Sequence, residues 1–368
     1  MKIALVVPGG VDRSAEYRVI PALLALIRRL AVQHEVHVFA LRQEAQPGNW
    51  DLLGAHVHNI GAVRTRARAV RAICAEHRQA AFTAIQAVWS GSPGLVSVLA
   101  AKILRIPCLV HVAGGELVGL HDIVYGGSLS WKGRLRERAT LRAATTVTAA
   151  SKPMIEALAA RGIDARRVPL GVDLNVWPPR EPRRRGREET PRLIHVASLN
   201  RVKDQETLLR ALAALADGGV QFEMDIVGED TLDGEVQALS ERLGLASKVR
   251  FHGFLPQQGV RQLVEAAHLM IITSRHEAGP LAVLEAAVAG VPTVGTAVGH
   301  IVEWSPGAAR SVPVRDWESL AKEIRRLLAD EDQRLDVARA AFQLATREDA
   351  SFTAQAFESL YAAVSARR

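Results

Sequence analysis

Two glutamates lie where an apolar strand gives way to a helix, and their chemistry suits hydroxyl recognition. Glu277 follows a run that ends at Thr273, and Glu285 lies about two turns further along a helix that begins near Pro280. The first turn of a helix has free N–H groups and a positive dipole end, which favour a bound phosphate. A carboxylate beside phosphate is favourable where hydroxyls donate to it, so sugar or ribose hydroxyls are the expected ligands. Two ordinary surface glutamates are the alternative.

Glycine-rich turns follow two apolar runs in the first half of the chain. Gly9 and Gly10 follow the first run, and Gly114 and Gly115 follow a later one that contains His111. Glycine lets a backbone approach a ligand closely, so both turns are candidate ligand loops. Neither has the Gly-x-Gly-x-x-Gly spacing of a dinucleotide site, and a turn without a ligand is the alternative. His111 is equally a candidate core residue.

The order of the motifs resembles that of the family 4 retaining glycosyltransferases. The two glutamates have the Glu-x7-Glu spacing of that family. Four further segments match family motifs in the same order: Val168–Asp173, Val249–Pro256, Gly290–Pro292 and Gly299–Glu303. Leu170 replaces the usual asparagine in the first of these, and His300 replaces a glycine in the last. The resemblance covers essentially the whole chain.

The resemblance implies an α/β fold of the GT-B type, in which two Rossmann-like, doubly wound parallel-sheet domains face a cleft. It implies a retaining, metal-independent hexosyltransferase that needs no cofactor. Its donor would be a nucleotide sugar linked to UDP or GDP, and its acceptor a sugar or a lipid-linked molecule, in the synthesis of cell-surface glycans or glycolipids. We expect donor binding in the second domain and acceptor binding in the first.

The resemblance also implies roles for individual residues. Glu277 would bind the donor sugar hydroxyls, and Glu285 the ribose diol. Lys203 occupies the family's lysine position, whereas Ser198 stands where an arginine is usual, so Arg201 is a candidate replacement for stabilising the leaving diphosphate. The remaining donor-side positions are Gly279, Pro280, Leu281, Phe254 and Leu255. The acceptor or phosphate loop positions are Gly9, Gly10, His111, Gly114, Gly115, Glu116 and Tyr125. Pro280 lacks an N–H, so the phosphate cradle must differ from that of the family.

Short apolar runs alternate with stretches of helical period, which predicts two α/β domains. We expect an N-terminal domain over residues 1–175, with a first helix from Ser14 to Val32, and a C-terminal domain over 192–350. Residues 176–191 are rich in proline and charge and are the predicted linker. A helix over 351–368 is expected to pack back on the first domain.

Charge is distributed unevenly along the chain. Residues 1–175 carry 22 basic and 12 acidic side chains, a net +10, and the remainder carries 24 and 27, a net −3. Basic stretches at Arg64–Arg71 and Trp131–Arg142 suit an anionic membrane surface or a phosphorylated lipid acceptor, and a solvated helix face is the alternative. Aromatic residues are 5% of the chain and do not interleave with these arginines, which disfavours nucleic acid.

Cys74 and Cys108 are too few for a disulfide framework or a cysteine-based zinc site. No apolar run reaches the ~18 residues of a membrane-spanning helix. A cytoplasmic protein, dissolved or bound at the inner membrane face, is therefore expected.

Three other functions remain open from the sequence. One is a GT-B nucleotide-sugar epimerase or hydrolase, and another is a non-catalytic nucleotide-sugar-binding module. The third is an NAD-dependent oxidoreductase, which is disfavoured because the glycine fingerprint is missing.

Overall fold

Two sheets of mostly parallel strands organise the computed structural model, which describes residues 1–366. The chain divides into two compact units. The first comprises Met1–Gly171 together with the C-terminal segment from Ala350, and the second comprises Val172–Asp349. The α/β fold class expected from the sequence is confirmed.

The first unit contains an eight-stranded sheet with the order β3-β4-β2-β1-β5-β6-β7-β8. The strands are β1 (Lys2–Val7), β2 (Glu35–Ala40), β3 (Gly48–Leu52), β4 (Ala55–Asn59), β5 (Ala84–Val88), β6 (Cys108–Val112), β7 (Thr146–Ala149) and β8 (Arg166–Arg167). The helices are α1 (Pro21–Gln33), α2 (Thr65–Gln79), α3 (Ser92–Leu104), α4 (Trp131–Ala143) and α5 (Lys152–Ala159), and the C-terminal α13 (Ala350–Ser365) packs on α1.

The second unit contains a six-stranded parallel sheet with the order β11-β10-β9-β12-β13-β14. The strands are β9 (Arg192–Val196), β10 (Glu223–Val227), β11 (Val249–Phe251), β12 (Leu269–Ile272), β13 (Thr293–Thr296) and β14 (Arg310–Val312). The helices are α6 (Gln205–Asp217), α7 (Glu235–Arg242), α8 (Gln257–Ala266), α9 (Leu281–Val288), α10 (Gly299–Trp304), α11 (Trp317–Ala329) and α12 (Glu331–Arg347).

The central strands are apolar because helices cover both faces of each sheet. All six residues of β1 and all four of β12 are buried, which is the pattern of parallel strands enclosed on both sides. The ends of these strands and the loops that follow them therefore carry the polar side chains.

One local prediction for the first unit is wrong, and one edge strand departs from the parallel arrangement. The first helix begins at Pro21 rather than Ser14, because the Ser14 hydroxyl accepts from Glu16 and Tyr17 in a local turn while Pro21 sets the first helical turn. The sheet is also not wholly parallel, because β3 joins β4 as an antiparallel edge strand. Its sequence, Gly48–Leu52, carries alternating exposed residues rather than the apolar run of a central strand.

Candidate donor site

Two loops of the second unit bring a lysine and a glutamate together. They follow β9 and β12, which are neighbours in the sheet, so both emerge at the same edge. Lys203 Nζ lies 2.5 Å from Glu277 Oε1, and both side chains are only partly exposed. The Ser274 hydroxyl donates to the same carboxylate oxygen at 2.6 Å. The carboxylate of Glu277 is therefore held between a cation and a hydroxyl.

Hydrogen bonds fasten the two loops to each other. Thr273 Oγ1 donates to the Lys203 carbonyl at 2.9 Å, and the Arg275 N–H donates to the Val202 carbonyl at 2.7 Å. Asn200 Oδ1 accepts from the N–H of Lys203 at 3.2 Å. These contacts fix the position of Lys203 before any ligand binds.

A buried histidine that the sequence analysis missed lies beneath this pair. His195 Nδ1 is 2.8 Å from the Ile271 carbonyl, and its Nε2 is 3.2 Å from Gln205 Nε2. Burial lowers the pKa of His195 to about 4, with a smaller lowering from Lys203 and a smaller raising from Glu277. The ring is therefore neutral at pH 7. The sequence signal for this residue is a histidine inside a predicted apolar strand.

Glu285 lies on α9 and is largely buried from solvent. It is 8% exposed, and burial raises its pKa from 4.5 to about 7, while the side chains of Gln257 and Trp177 partly offset that rise. A carboxyl group of this kind is stabilised by any ligand hydroxyl that donates to it.

The turn before α9 carries the remaining predicted donor residues of this helix. Pro280 is the N-cap, Gly279 precedes it, and Leu281 is the first helical residue. The first N–H groups of a helix have no intrahelical acceptor, so the backbone of Leu281 can donate to an anion although Pro280 cannot. Gly299 packs against this turn: a Cβ at Gly299 would lie 2.7 Å from Pro280 Cδ.

The first unit presents its candidate loops differently from the prediction. His111 is completely buried in β6, where its Nδ1 lies 2.9 Å from Thr148 Oγ1 and its ring packs edge-on against Phe357. Burial lowers the pKa of His111 to about 3. The expectation that His111 contacts a ligand is therefore wrong; all five residues of β6 are buried, so His111 lies in the core.

Glu116 is also turned inward. It accepts from the N–H groups of Ser90 at 3.1 Å and Gly114 at 2.7 Å, and burial raises its pKa. Beside it, the Ser90 hydroxyl donates to Glu137, whose pKa burial raises to about 7. Glu116 thus supports the loop from within.

The glycines of both loops have packing partners. A Cβ at Gly115 would lie 2.6 Å from the hydroxyl of Tyr125, and a Cβ at Gly10, where φ is +82°, would lie 2.6 Å from Ile20. A Cβ at Gly9 would lie 3.3 Å from Gln43 Oε1. Close packing within the protein accounts for these positions without a ligand.

An arginine-lined pocket follows β1 and β2 in the first unit. Its volume is about 710 Å³, and Pro8, Arg42, Arg64, Arg66 and Ser92 are among its lining residues. Arg66 Nη2 is 3.1 Å from the hydroxyl of Ser92, at the first turn of α3. Arg64 and Arg66 belong to a basic stretch predicted from the sequence, but no sequence pattern connects them with Arg42.

Comparison with known proteins places the chain in a family. Family models described as "Glycosyl transferases group 1" and "Glycosyl transferase 4-like domain" match residues 179–344 and 19–172. The chain belongs to the group 1 glycosyltransferases. The resemblance noted from the motifs is therefore confirmed.

Curated relatives match over part of their length. A GDP-mannose-dependent alpha-(1-6)-phosphatidylinositol dimannoside mannosyltransferase of Mycobacterium tuberculosis is 30% identical over 44% of this chain and 43% of the relative. A D-inositol 3-phosphate glycosyltransferase of Corynebacterium jeikeium is 29% identical over 56% of this chain and 54% of the relative. The matches thus span about half the length of these relatives.

Solved structures match over the whole chain. Sucrose-phosphate synthase of Thermosynechococcus elongatus has a TM-score of 0.81 at 19% identity and covers 100% of both chains. HepE of Anabaena, solved in complex with UDP, has a TM-score of 0.74 at 19% identity and covers 99% of this chain and 100% of that chain. These similarities establish the GT-B fold.

The structure places the candidate replacement for the family's arginine, Arg201, in an ion pair with another residue. Arg201 Nη2 lies 2.6 Å from Glu235 Oε2, and the Arg201 side chain is 57% exposed. The structure therefore does not bring Arg201 to Lys203 and Glu277, because an acidic residue at the start of α7 holds its guanidinium. Ser198 is exposed, and its carbonyl accepts from Gln205. Phe254 and Leu255 lie in the loop after β11, the first exposed and the second half-buried.

Proposed function

We propose that this chain is a retaining, metal-independent hexosyltransferase that transfers a sugar from a UDP- or GDP-linked donor to an acceptor hydroxyl, in the synthesis of a cell-surface glycan or glycolipid. The observation that carries the proposal is the ion pair between Lys203 and Glu277, held at the carboxyl edge of β9 and β12 beside the start of α9. It supplies a cation for a leaving diphosphate and a carboxylate for sugar hydroxyls within one small region.

Lys203 and Glu277 have different roles in the proposed reaction. As the bond between the anomeric carbon and the diphosphate oxygen breaks, negative charge develops on the diphosphate, and the ammonium of Lys203 stabilises it. The acceptor oxygen forms a bond to the same carbon from the same face, and its proton passes to the departing phosphate oxygen. Glu277 accepts from sugar hydroxyls and orients the ring. Glu285 accepts from the ribose diol, which anchors the nucleotide.

The carboxylates of the chain's Asp-x-Asp tripeptide have structural roles. A divalent ion on a diphosphate is commonly held by one or two carboxylates. In Asp330–Asp332, Asp330 caps α12 by accepting from Gln333 N–H at 2.9 Å, and Glu331 binds Arg334 at 2.6 Å. Asp332 pairs with Arg184. Because these groups are engaged elsewhere, the proposal assigns the stabilisation of the diphosphate to Lys203 rather than to a metal.

Replacement of Lys203 tests the proposal. Removal of a group that stabilises developing charge typically costs on the order of 10²–10³ in turnover. We expect Lys203→Ala to lose kcat by that factor with a modest change in donor KM. Arg201→Ala is the matched control, because it removes a nearby cation that is bound to Glu235, and it should retain its turnover.

The assay measures both donor hydrolysis without acceptor and transfer to an acceptor, with a panel of UDP- and GDP-sugars. Equal turnover of the wild type and Lys203→Ala would rule out the proposed role of the pair. Free sugar or an isomerised donor as the sole product would favour the hydrolase or epimerase alternative. Binding of a donor without any turnover would favour a binding module.

We further propose that the acceptor carries an anionic group, which the pocket lined by Arg42, Arg64 and Arg66 binds. Three guanidinium-bearing residues around one cavity of about 710 Å³ suit a phosphate, since guanidinium groups bind phosphate through paired hydrogen bonds. The name of one relative, D-inositol 3-phosphate glycosyltransferase, includes a phosphorylated sugar alcohol. A phosphorylated polyol is therefore the acceptor class to test first.

We also propose that α4 binds the surface of an anionic membrane. Within residues 1–366, no helix combines the length and the apolar character needed to cross a bilayer. Trp131 and Leu135, one turn apart on α4, are 63% and 60% exposed and lie among exposed basic residues. Exposed apolar side chains beside cations suit the boundary between lipid headgroups and acyl chains.

A further inference from the structure

A cluster of polar side chains interrupts the apolar face that α2 covers in the first unit. It consists of Lys2 on β1, Glu35 and His37 on β2, His58 on β4 and Glu76 on α2. Residues two apart on a strand face the same side, which places Glu35 and His37 together. The cluster lies toward the amino ends of β1 and β2, whereas the Gly9-Gly10 loop follows the opposite end of β1.

Three potential ligand atoms converge in this cluster. His37 Nδ1 lies 3.0 Å from His58 Nε2 and 3.7 Å from Glu76 Oε1. The ligand atoms of the three residues all lie within 4.8 Å of one another. A tetrahedral ion with bonds of about 2.0–2.1 Å separates its ligand atoms by roughly 3.3 Å. The two separations from His37 lie on either side of that value and the third is at most 4.8 Å, so the side chains must shift to close around an ion.

A second carboxylate orients His37 for such a role. Glu35 Oε1 lies 2.9 Å from His37 Nε2. When the proton of His37 is on Nε2 and is donated to Glu35, the lone pair of Nδ1 points toward His58 and Glu76. Histidines that bind metals commonly donate their other ring N–H to a carboxylate in this way, which fixes the tautomer and the orientation of the ring.

The ammonium of Lys2 occupies part of the same environment. Its Nζ is 2.8 Å from Glu76 Oε1 and 3.1 Å from Glu35 Oε1, and its side chain is only 7% exposed. Two carboxylates face one ammonium, and this excess of acidic groups favours a further cation. Lys2 nevertheless competes with that cation for Glu76, so an ion must share the carboxylate or shift Lys2 toward Glu35.

We propose that His37, His58 and Glu76 bind one transition-metal ion of the Zn²⁺ class, with water completing the coordination. Two imidazole nitrogens and one carboxylate oxygen are a ligand set that suits Zn²⁺, whereas Mg²⁺ and Ca²⁺ prefer oxygen ligands alone. The ion links β2, β4 and α2 and therefore has a stabilising role in the first unit. Within residues 1–366, this is the group of histidine and acidic residues with such convergent atoms.

The site is tested on the full chain after removal of any affinity tag and treatment with a chelator. Isothermal titration with ZnCl₂ should give one saturable site in the wild type, and Zn²⁺ should raise the melting temperature. Co²⁺ should give the visible absorption of a low-coordinate nitrogen and oxygen site. Glu76→Gln keeps an oxygen for Lys2 while weakening the metal ligand, and we expect its Zn²⁺ affinity to fall by at least about tenfold.

Matched variants separate ligation from general effects of histidine removal. His58→Ala should lose Zn²⁺ binding by the same measure. His121→Ala is the control, because His121 is exposed in the first unit and lies outside the cluster. We expect its affinity to equal that of the wild type. The proposal is overturned if the wild type shows no saturable Zn²⁺ binding, or if Glu76→Gln, with an unchanged melting temperature in chelator, binds Zn²⁺ as the wild type does.

Discussion

Lys203 and Glu277 neutralise each other in the ligand-free protein, and this bears on how they respond to a donor. Each group is partly buried, so loss of one partner leaves a charge in a poorly hydrated position. A bound donor offers both groups new partners, a diphosphate for Lys203 and hydroxyls for Glu277. The proposed donor therefore replaces one set of charge interactions with another rather than entering a site of uncompensated charge.

Glu285→Gln should stabilise the protein and weaken nucleotide binding. The pKa of Glu285 is raised from 4.5 to about 7, so the unfolded chain releases this proton at a lower pH than the folded chain does. Glu285 consequently lowers the free energy of unfolding as pH rises from about 4.5 to about 7, and its effect is constant above that range. The penalty that glutamine removes is on the order of 3 kcal/mol above pH 7.

Between pH 5 and pH 8, the melting temperature of Glu285→Gln should rise relative to that of the wild type as the pH increases. A charged hydrogen-bond partner contributes roughly 1.5–3 kcal/mol, so calorimetry at pH 7.5 should show the affinities for nucleoside diphosphate and intact donor falling together. Unchanged diphosphate affinity would contradict the ribose assignment. A stability difference that does not depend on pH would contradict the raised pKa.

At the scale of single residues, the sequence gives residue types and strand register but not the directions of long side chains. The spacing of Glu277 and Glu285 predicts a turn residue and a helix residue. In the structure, Glu277 lies in the turn before α9 and Glu285 lies on α9. Arg201 has many rotamers, and its direction depends on Glu235, which lies 34 residues away in the sequence. No local pattern contains that pairing.

At the scale of elements, the start of α10 constrains the turn that carries Glu277. Gly299 has φ +48°, and a Cβ there would lie 2.7 Å from Pro280 Cδ and 3.3 Å from Glu277 Cβ. We expect Gly299→Ala to displace this turn and reduce turnover at least about tenfold, which corresponds to about 1.4 kcal/mol. Gly244→Ala is the matched control, since Gly244 has φ +70° and open space where its Cβ would lie.

Both alanine variants should lose roughly 1–2 kcal/mol of stability from the left-handed conformation. Chemical denaturation measures the loss of stability that both variants share. The kcat of each variant measures the effect on catalysis, which we expect only for Gly299→Ala. Equal kcat values for Gly299→Ala and Gly244→Ala would show that contact with the turn does not matter for catalysis.

A second prediction for a single element concerns membrane binding by the exposed face of α4. Replacing Trp131 and Leu135 with alanine should reduce sedimentation with phosphatidylglycerol vesicles, because the apolar side chains no longer enter the interface. Val32→Ala is the control, as Val32 is exposed on α1 away from this basic helix. If wild-type protein does not sediment with these vesicles at low salt, α4 has a solvated face and the membrane proposal is wrong.

Element types follow well from the sequence because the central strands are continuous apolar runs between amphipathic helices. The exceptions have physical reasons. The edge strand Gly48–Leu52 pairs on one side only, so it is not an apolar run. His111 lies in a strand that is buried on both faces, where position in the sequence does not separate a core residue from a loop residue. Likewise, the residues Glu35 and His37 on β2 come next to His58 only when β2 pairs with β4.

In the molecule as a whole, the uneven charge agrees with the proposal that the first unit binds the acceptor and the second binds the donor. The first 175 residues are strongly basic, and the remainder is mildly acidic. A basic unit attracts anionic acceptors and anionic membrane surfaces, and this attraction weakens as salt is added. The proposed donor residues lie in the other unit, where Lys203 acts locally rather than through a broad positive surface.

Variants of the arginine pocket should therefore separate acceptor use from donor use. We expect the double variant Arg64→Gln, Arg66→Gln to raise the KM for a phosphorylated acceptor at least about tenfold, or about 1.4 kcal/mol. The probe is D-inositol 3-phosphate, with free inositol as the uncharged comparison. Donor hydrolysis without acceptor should stay at the wild-type rate, since the proposed donor contacts are in the second unit.

The double variant Arg68→Gln, Arg71→Gln is the matched control, because both arginines are exposed on α2 but do not line the pocket. It also removes two positive charges from this basic segment, so a general loss of positive potential would affect it as well. A selective loss in the double variant, confined to the phosphorylated acceptor, is the result expected of direct phosphate binding. Equal losses in both proteins would instead mean that the basic helix acts only through its long-range field, and the pocket would then not be the acceptor site.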